Sequence, residues 1–124
     1  MHDKTHDKTH VLKRDGDRSL RFSGELLGEG QTGDGTYPGD WTRGHMVRIY
    51  ACSGGGYVVA SSYWSRWQGE GSTHTAHVHS TPAALLGALR DEDGLIGAAE
   101  MAAWEDACDE DPALEALRYE EVTP

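Results

Sequence analysis

The chain has 124 residues, a formal net charge of −10, 37% hydrophobic residues, sixteen glycines and two cysteines. That length fits one domain with a modest core. The hydrophobic share is too high for a disordered chain, and Cys52 and Cys108 do not make a disulfide framework. No apolar run reaches the ~18 residues of a membrane-crossing helix, and the opening MHDKTHDKTH lacks the apolar stretch of a secretory signal. The expectation is a cytoplasmic protein with reduced thiols and no membrane contact. Residues 1–89 carry nine acids and nine bases, whereas residues 90–124 carry twelve acids against Arg90 and Arg118. All of the imbalance therefore sits at the C-terminal end, where it repels nucleic acid and attracts basic surfaces.

In chain order, the duplicated HDKT unit spaces His2, His6 and His10 four residues apart, and residues 1–9 read as a solvated tail. Residues 10–14 and 18–27 read as strands joined by the tight turn Asp15-Gly16. In the second strand Leu20, Phe22, Gly24 and Leu26 alternate with Arg21, Ser23, Glu25 and Leu27, the period of a half-buried strand. Residues 28–44 contain six glycines and Pro38 and read as a Gly-rich loop. Trp41 inside that loop is expected to fold back onto the core.

Residues 45–52 and 56–67 form the clearest hairpin, turning at Ser53-Gly54-Gly55-Gly56. Val47, Ile49 and Ala51 share one face of its first strand. Tyr57, Val59, Ser61, Tyr63 and Trp67 share one face of the second, with Trp64 and Arg66 on the other. Residues 73–80 read as a fifth strand. Thr81-Pro82 then opens a helix, with Thr81 as N-cap and Leu85, Leu86 and Leu89 as its apolar stripe. Residues 94–108 read as a second helix with Ile96, Ala99, Ala103, Trp104 and Ala107 inward. Glu100 falls inside that apolar arc without a reason visible in the sequence. Asp111-Pro112 starts a last short helix that docks through Leu114 and Leu117. Strands followed by helices predict an α+β domain over residues 10–124. Its expected form is a five-stranded antiparallel meander with two or three C-terminal helices, an acidic segment over 81–119, packed on one sheet face. The face carrying Trp64 and Arg66 is expected to be open.

Chemistry-bearing motifs are scarce. No phosphate loop, GxGxxG, GxSxG, HExxH or CxxC occurs, so no enzyme class and no cofactor is expected. His74, His77 and His79 lie on the fifth strand, where His77 and His79 point the same way and would need a third ligand from elsewhere to hold a metal. The Tyr63–Trp67 run combines aromatics with Arg66, a composition common in protein-binding hot spots. No basic patch accompanies it to neutralise phosphates, so direct nucleic-acid binding is not expected.

The stretch Arg21-Phe22-Ser23-Gly24-Glu25-Leu26-Leu27-Gly28-Glu29, the strand at Val47–Tyr50, Gly55-Gly56-Tyr57-Val58-Val59 and the helical end together resemble the C-terminal part of the EXLDI family. These are small bacterial proteins often carried on plasmids and other mobile elements. The likeness spans roughly residues 10–119. Of the family's closing E-x-L-D-I, Glu115-Ala116-Leu117 matches, and Arg118-Tyr119 replaces the last two residues. The family's DNA-binding N-terminal segment has no counterpart here, so the resemblance implies a fold and a mobile-element setting and no DNA-binding role.

Charge placement and that setting predict an inhibitory protein. Glu105, Asp106, Asp109, Glu110 and Asp111 would stand in for phosphates in the basic groove of a nucleic-acid-processing protein partner, as in DNA mimics and anti-CRISPR proteins. Trp64, Arg66 and Trp41 would anchor the contact. The alternatives are an immunity or antitoxin-like inhibitor of a toxin, and a small-molecule or metal-binding module that uses the sheet face and the histidine strand.

Overall fold

The computed structural model describes residues 8–35, 39, 41–67, 69 and 71–122. Five strands come first: β1 (Lys8–Leu12), β2 (Leu20–Gly33), β3 (Arg43–Cys52), β4 (Tyr57–Ser65) and β5 (Thr73–His79). Three helices follow: α1 (Pro82–Ala88), α2 (Ala98–Glu110) and α3 (Pro112–Glu115). The strands make one antiparallel sheet in chain order, the predicted α+β meander. The first strand begins earlier than expected. Lys8 and Thr9 belong to β1, opposite Gly24 and Ser23, while His2 and His6 lie outside the described residues. His10 packs inward, its ring centroid 5.2 Å from Phe22 and 4.8 Å from Tyr50.

The sheet curls. At the β1–β2 turn, Asp15 N donates to His74 O at 2.9 Å, and its carboxylate accepts from His74 N at 2.8 Å, so the turn reaches across to β5. The concave face holds a small core of Tyr50, Val58 and Ala76, flanked by Leu12, Leu20 and Phe22. The side predicted to be open is therefore filled at this end, because the curl brings β1 and β2 over it.

The main core lies on the convex face. There Leu27, Val47, Ile49 and Tyr57 meet Leu85, Leu89, Trp104 and Leu114 of the helical half. What seats α2 is the part of β2 read from sequence as loop. Residues 28–33 continue the strand, with Gly28 opposite Ile49 and Gly30 opposite Val47. A register shift between Leu26 and Gly28 sends the two glycines to the helix side. Over them runs the stripe Ala99, Ala103 and Ala107, all buried. An ideal Cβ on Gly28 would come within 2.6 Å of Ala107 N, and one on Gly30 within 2.7 Å of Ala103 N. Glycine is needed here because the helix backbone, and not merely its side chains, occupies the space. The true connection between β2 and β3 is 34–42.

Thr81 caps α1 as expected, its hydroxyl accepting from Ala84 N at 3.1 Å. The second helix starts later than predicted, at Ala98. Asp91 Oδ1 accepts from Asp93 N and Leu95 N at 2.9 and 3.0 Å, and Gly94 takes φ 80°, so this stretch folds as a tight loop. Ile96 still packs against the core from that loop. Asp111 ends α2 and caps α3. Leu114 is fully buried, whereas Leu117 is 37% exposed and does not dock as expected. Cys52 and Cys108 are free thiols, and burial pushes Cys108 up to about 11.

Candidate functional site

At the end of the sheet where β2 stops and β3 starts, Gly33, Gly44 and Trp64 stand directly opposite one another in register. Paired residues share a face, so two missing side chains leave bare backbone beside an indole. Trp64 lies over Gly44 and Trp41 lies over Gly33. Trp41 thus lies on the sheet end and on neither core, contrary to expectation, and its indole N–H donates to Gly35 O at 2.9 Å.

One residue along each strand, the row Thr32, His45 and Tyr63 points to the helix side. His45 stacks on Tyr63 with centroids 4.1 Å apart and planes 6° apart. His45 Nε2 lies 2.8 Å from Ser61 Oγ and 3.6 Å from Glu100 Oε2. This contact accounts for Glu100 in the apolar arc of α2. A hydrolytic relay needs the hydroxyl and the carboxylate on different ring nitrogens. Here both approach Nε2, so the trio positions His45 and is not a catalytic triad.

Around these rings lies a cleft of about 570 Å³ whose walls include Asp34, Arg43, His45, Tyr63 and Trp64. Asp34 organises its rim, accepting from Thr42 N at 2.8 Å, from Arg43 N at 3.2 Å, and from the Thr42 hydroxyl. The Thr42 hydroxyl first, then the backbone N–H groups of Arg43 and Thr42, lower its pKa from 3.8 to about 2. What the depressed Asp34 contributes to the rim is complete above its ordinary value and is lost as pH falls towards 2. Each outer tryptophan carries an arginine: Arg43 Cζ is 5.9 Å from the Trp67 centroid and Arg66 Cζ 5.8 Å from that of Trp64. Trp67 is pinned by its indole N–H to Thr42 Oγ1 at 3.2 Å.

The predicted partner surface divides in two. Trp64 lines this cleft, while Trp41 lies on its Gly33 and Arg66 lies against Trp64. Glu105, Asp106, Asp109, Glu110 and Asp111 lie at the opposite end, where α2 finishes beside the first residue of β4. The Tyr57 hydroxyl there donates to Asp111 Oδ2 at 3.1 Å. β4 has nine residues, so its ends are about 27 Å apart at ~3.3 Å per residue.

The acidic end is also not a bare carboxylate face. Arg118 bonds Glu105 at 2.6 Å, Asp109 at 2.8 Å and Glu115 at 2.9 Å. Asp109 first, then Glu115 and Glu105, raise the guanidinium further above its ordinary range. Asp106 accepts from Glu29 N at 3.1 Å, and Asp111 from Ala113 N at 2.8 Å. Of the five predicted acids, Glu110 alone has no such contact among the described residues, and it is exposed.

His77 and His79 do share a side of β5, and with Glu100 they line a cavity of about 190 Å³. Among the described residues no three His, Cys, Asp or Glu side chains come close enough to hold a metal. Burial, then the neighbouring His77, lowers the pKa of His79, whose Nε2 is buried without a hydrogen-bond partner.

Sequence reading missed Asp34, His45 and the Gly33–Gly44 pair. A signal existed for the pair: Gly33 is the last residue of β2 and Gly44 the second of β3, on either side of Trp41 in sequence. Nothing in the sequence pointed to the His45–Glu100 contact, which joins residues 55 positions apart.

Fold and site together define a class, an α+β meander domain with an aromatic-walled cleft at one end and an acidic helical end at the other. No known protein family, curated protein or solved structure shows a significant match to the chain. No helix among the described residues is long and apolar enough to cross a membrane.

Proposed function

We propose that the protein is a non-enzymatic binding module that takes a small ligand with a planar ring into the cleft walled by Trp64 at this end of the sheet. The observation that carries this is the glycine-backed aromatic wall. Gly33 and Gly44 are bare so that two indoles, those of Trp41 and Trp64, can lie on the sheet. Rigid aromatic walls with few polar groups are the usual make-up of a ligand pocket, and about 570 Å³ is a ligand-sized volume. The four tryptophans provide an internal test. Titrating 2-naphthol and following the four indole N–H resonances should shift those of Trp41, Trp64 and Trp67. Trp104, 2% exposed under α2, should stay still. No shift, or equal movement of all four, overturns the reading.

A second reading keeps the acidic end as a docking face for a basic protein partner. A specific feature favours it. The last turn of α2 contains Asp109 and Glu110 and no base, although the negative end of the helix dipole disfavours carboxylates there. Arg118 cancels one charge of the three acids it holds, so the end stays negative. The mobile-element setting implied by the EXLDI resemblance suits such an inhibitor. Poly-lysine should bind roughly tenfold more weakly when salt rises from low to physiological strength, and Glu110→Lys should weaken it further. Affinity indifferent to salt defeats this second reading.

A further inference from the structure

We infer that the junction between α1 and β5 is an acid-sensitive latch: α1 lies closed on the sheet while His79 is neutral, and lifts when that imidazole takes a proton.

Among the described residues, His79 Nε2 is the one buried side-chain nitrogen or oxygen without a hydrogen-bond partner. In a neutral imidazole one ring nitrogen donates and the other accepts, whereas in the imidazolium both carry a proton. Protonated in place, His79 would bury a charged N–H with no acceptor at Nε2, which is far more costly than a neutral atom left unpaired. Burial first, and then the neighbouring His77, lower its pKa accordingly.

The surroundings offer no relief. A cavity of about 190 Å³ lies against His79 and is closed by Ala88 and Leu89 at the end of α1. The titratable groups on its walls are His77 of β5 and Glu100 of α2. A second charge beside His77 is opposed by like-charge repulsion. Glu100 is the one wall group that would favour a cation, and its Oε2 already faces His45 Nε2 at 3.6 Å. The wall residues from β3, β4 and α1 carry no charge. Next to these walls, Tyr57 pairs in register with His79 and donates its hydroxyl to Asp111, and Arg90 donates to Gly94 O.

Of the elements around His79, α1 is the one that can yield. β3 and β4 are interior strands, paired on both sides. α1 has seven residues, with Leu85 buried in the helix and Leu89 buried at its C-cap. Short elements with few buried side chains open at a lower free energy than the whole fold. Because the folded-state pKa of His79 lies below the ordinary 6.5, the closed form is fully favoured above that value. It is lost as pH falls through the folded value.

The experiment follows amide-exchange protection in the whole chain from about pH 7 to about pH 4.5, the acid side of the histidine range. The α1 amides of Leu85 and Leu86 should lose protection about tenfold for each pH unit below the titration of His79, the slope of a single proton. The β3 amides around Ile49 should hold theirs. His79→Phe, which keeps a ring and cannot take a proton, should make α1 protection independent of pH. His79→Gln gives the same readout should the phenylalanine variant fail to fold.

Flat protection of α1 in the parent overturns the latch. So does an equal loss in the variant, which assigns the proton to another group. Loss of β3 protection in step with α1 also overturns it, because the acid transition is then global.

Discussion

Gly28→Val is expected to destabilise the protein by about 3 kcal/mol, the upper end for overpacking a core. That corresponds to a fall of roughly 10 °C in Tm for a domain of this size. The reason is geometric. A Cβ at this position would lie 2.6 Å from Ala107 N and closer still to Ala103 O, so it meets the backbone of α2. No rotamer relieves such a clash. Truncating the alanines of α2 does not relieve it either, because the obstructing atoms are not side chains. The helix must lift, and lifting it separates Trp104, Ala103 and Ala107 from Leu27 and Ile49 across the main core. Gly87→Ala is the control. This glycine sits inside α1 with nothing within 4 Å of an added Cβ, and alanine should raise stability by about 0.5–1 kcal/mol. Urea unfolding of the two variants checks both signs. Tolerance of valine at position 28 would mean that α2 does not rest on the strand.

Trp104→Ala should cost about 3–5 kcal/mol, the range for removing a large buried aromatic. The indole is 2% exposed and packs in the centre of the main core. The buried residues beside it on the helix, Ala103, Ala107 and Cys108, are too small to fill the space it leaves. Met101→Ala, on the same helix but 40% exposed, should stay within about 0.5 kcal/mol of the parent. Denaturant unfolding gives both numbers, and a loss below that of an ordinary surface substitution would refute the seating of α2. The contrast matters for function. Trp104 belongs to stability, whereas Trp64 lines the cleft, so loss of binding and loss of folding are separable by choice of tryptophan.

Some of this architecture was readable from residue order. Alternating side chains in 45–52 and 56–67 located the central hairpin, and Thr81-Pro82 located the start of α1. Such signals are local, each residue being interpreted by neighbours a few positions away. The Gly28–Gly33 stretch went the other way. Glycine density suggests a loop when nothing is known to pack on it, yet Gly28 and Gly30 alternate with Glu29 and Gln31 at strand period, and a stripe of alanines waits in 99–107. The meaning of either stripe depends on the other. Glu100, out of place on its helix, was likewise explicable only once His45 stood opposite.

The functional surface shows the same division. From the chain alone came the five strands in order, the helical end and the confinement of the negative charge to residues 90–124, because period, capping and composition act over short distances. Only tertiary structure decided that the Trp64 cleft and the acids Glu105 to Asp111 occupy opposite ends of one sheet. Only it decided that Arg118 gathers Glu105, Asp109 and Glu115. Whether a carboxylate faces solvent or a guanidinium depends on side chains that the curl of the sheet and the seating of α2 bring together. No pattern within a single segment encodes that meeting.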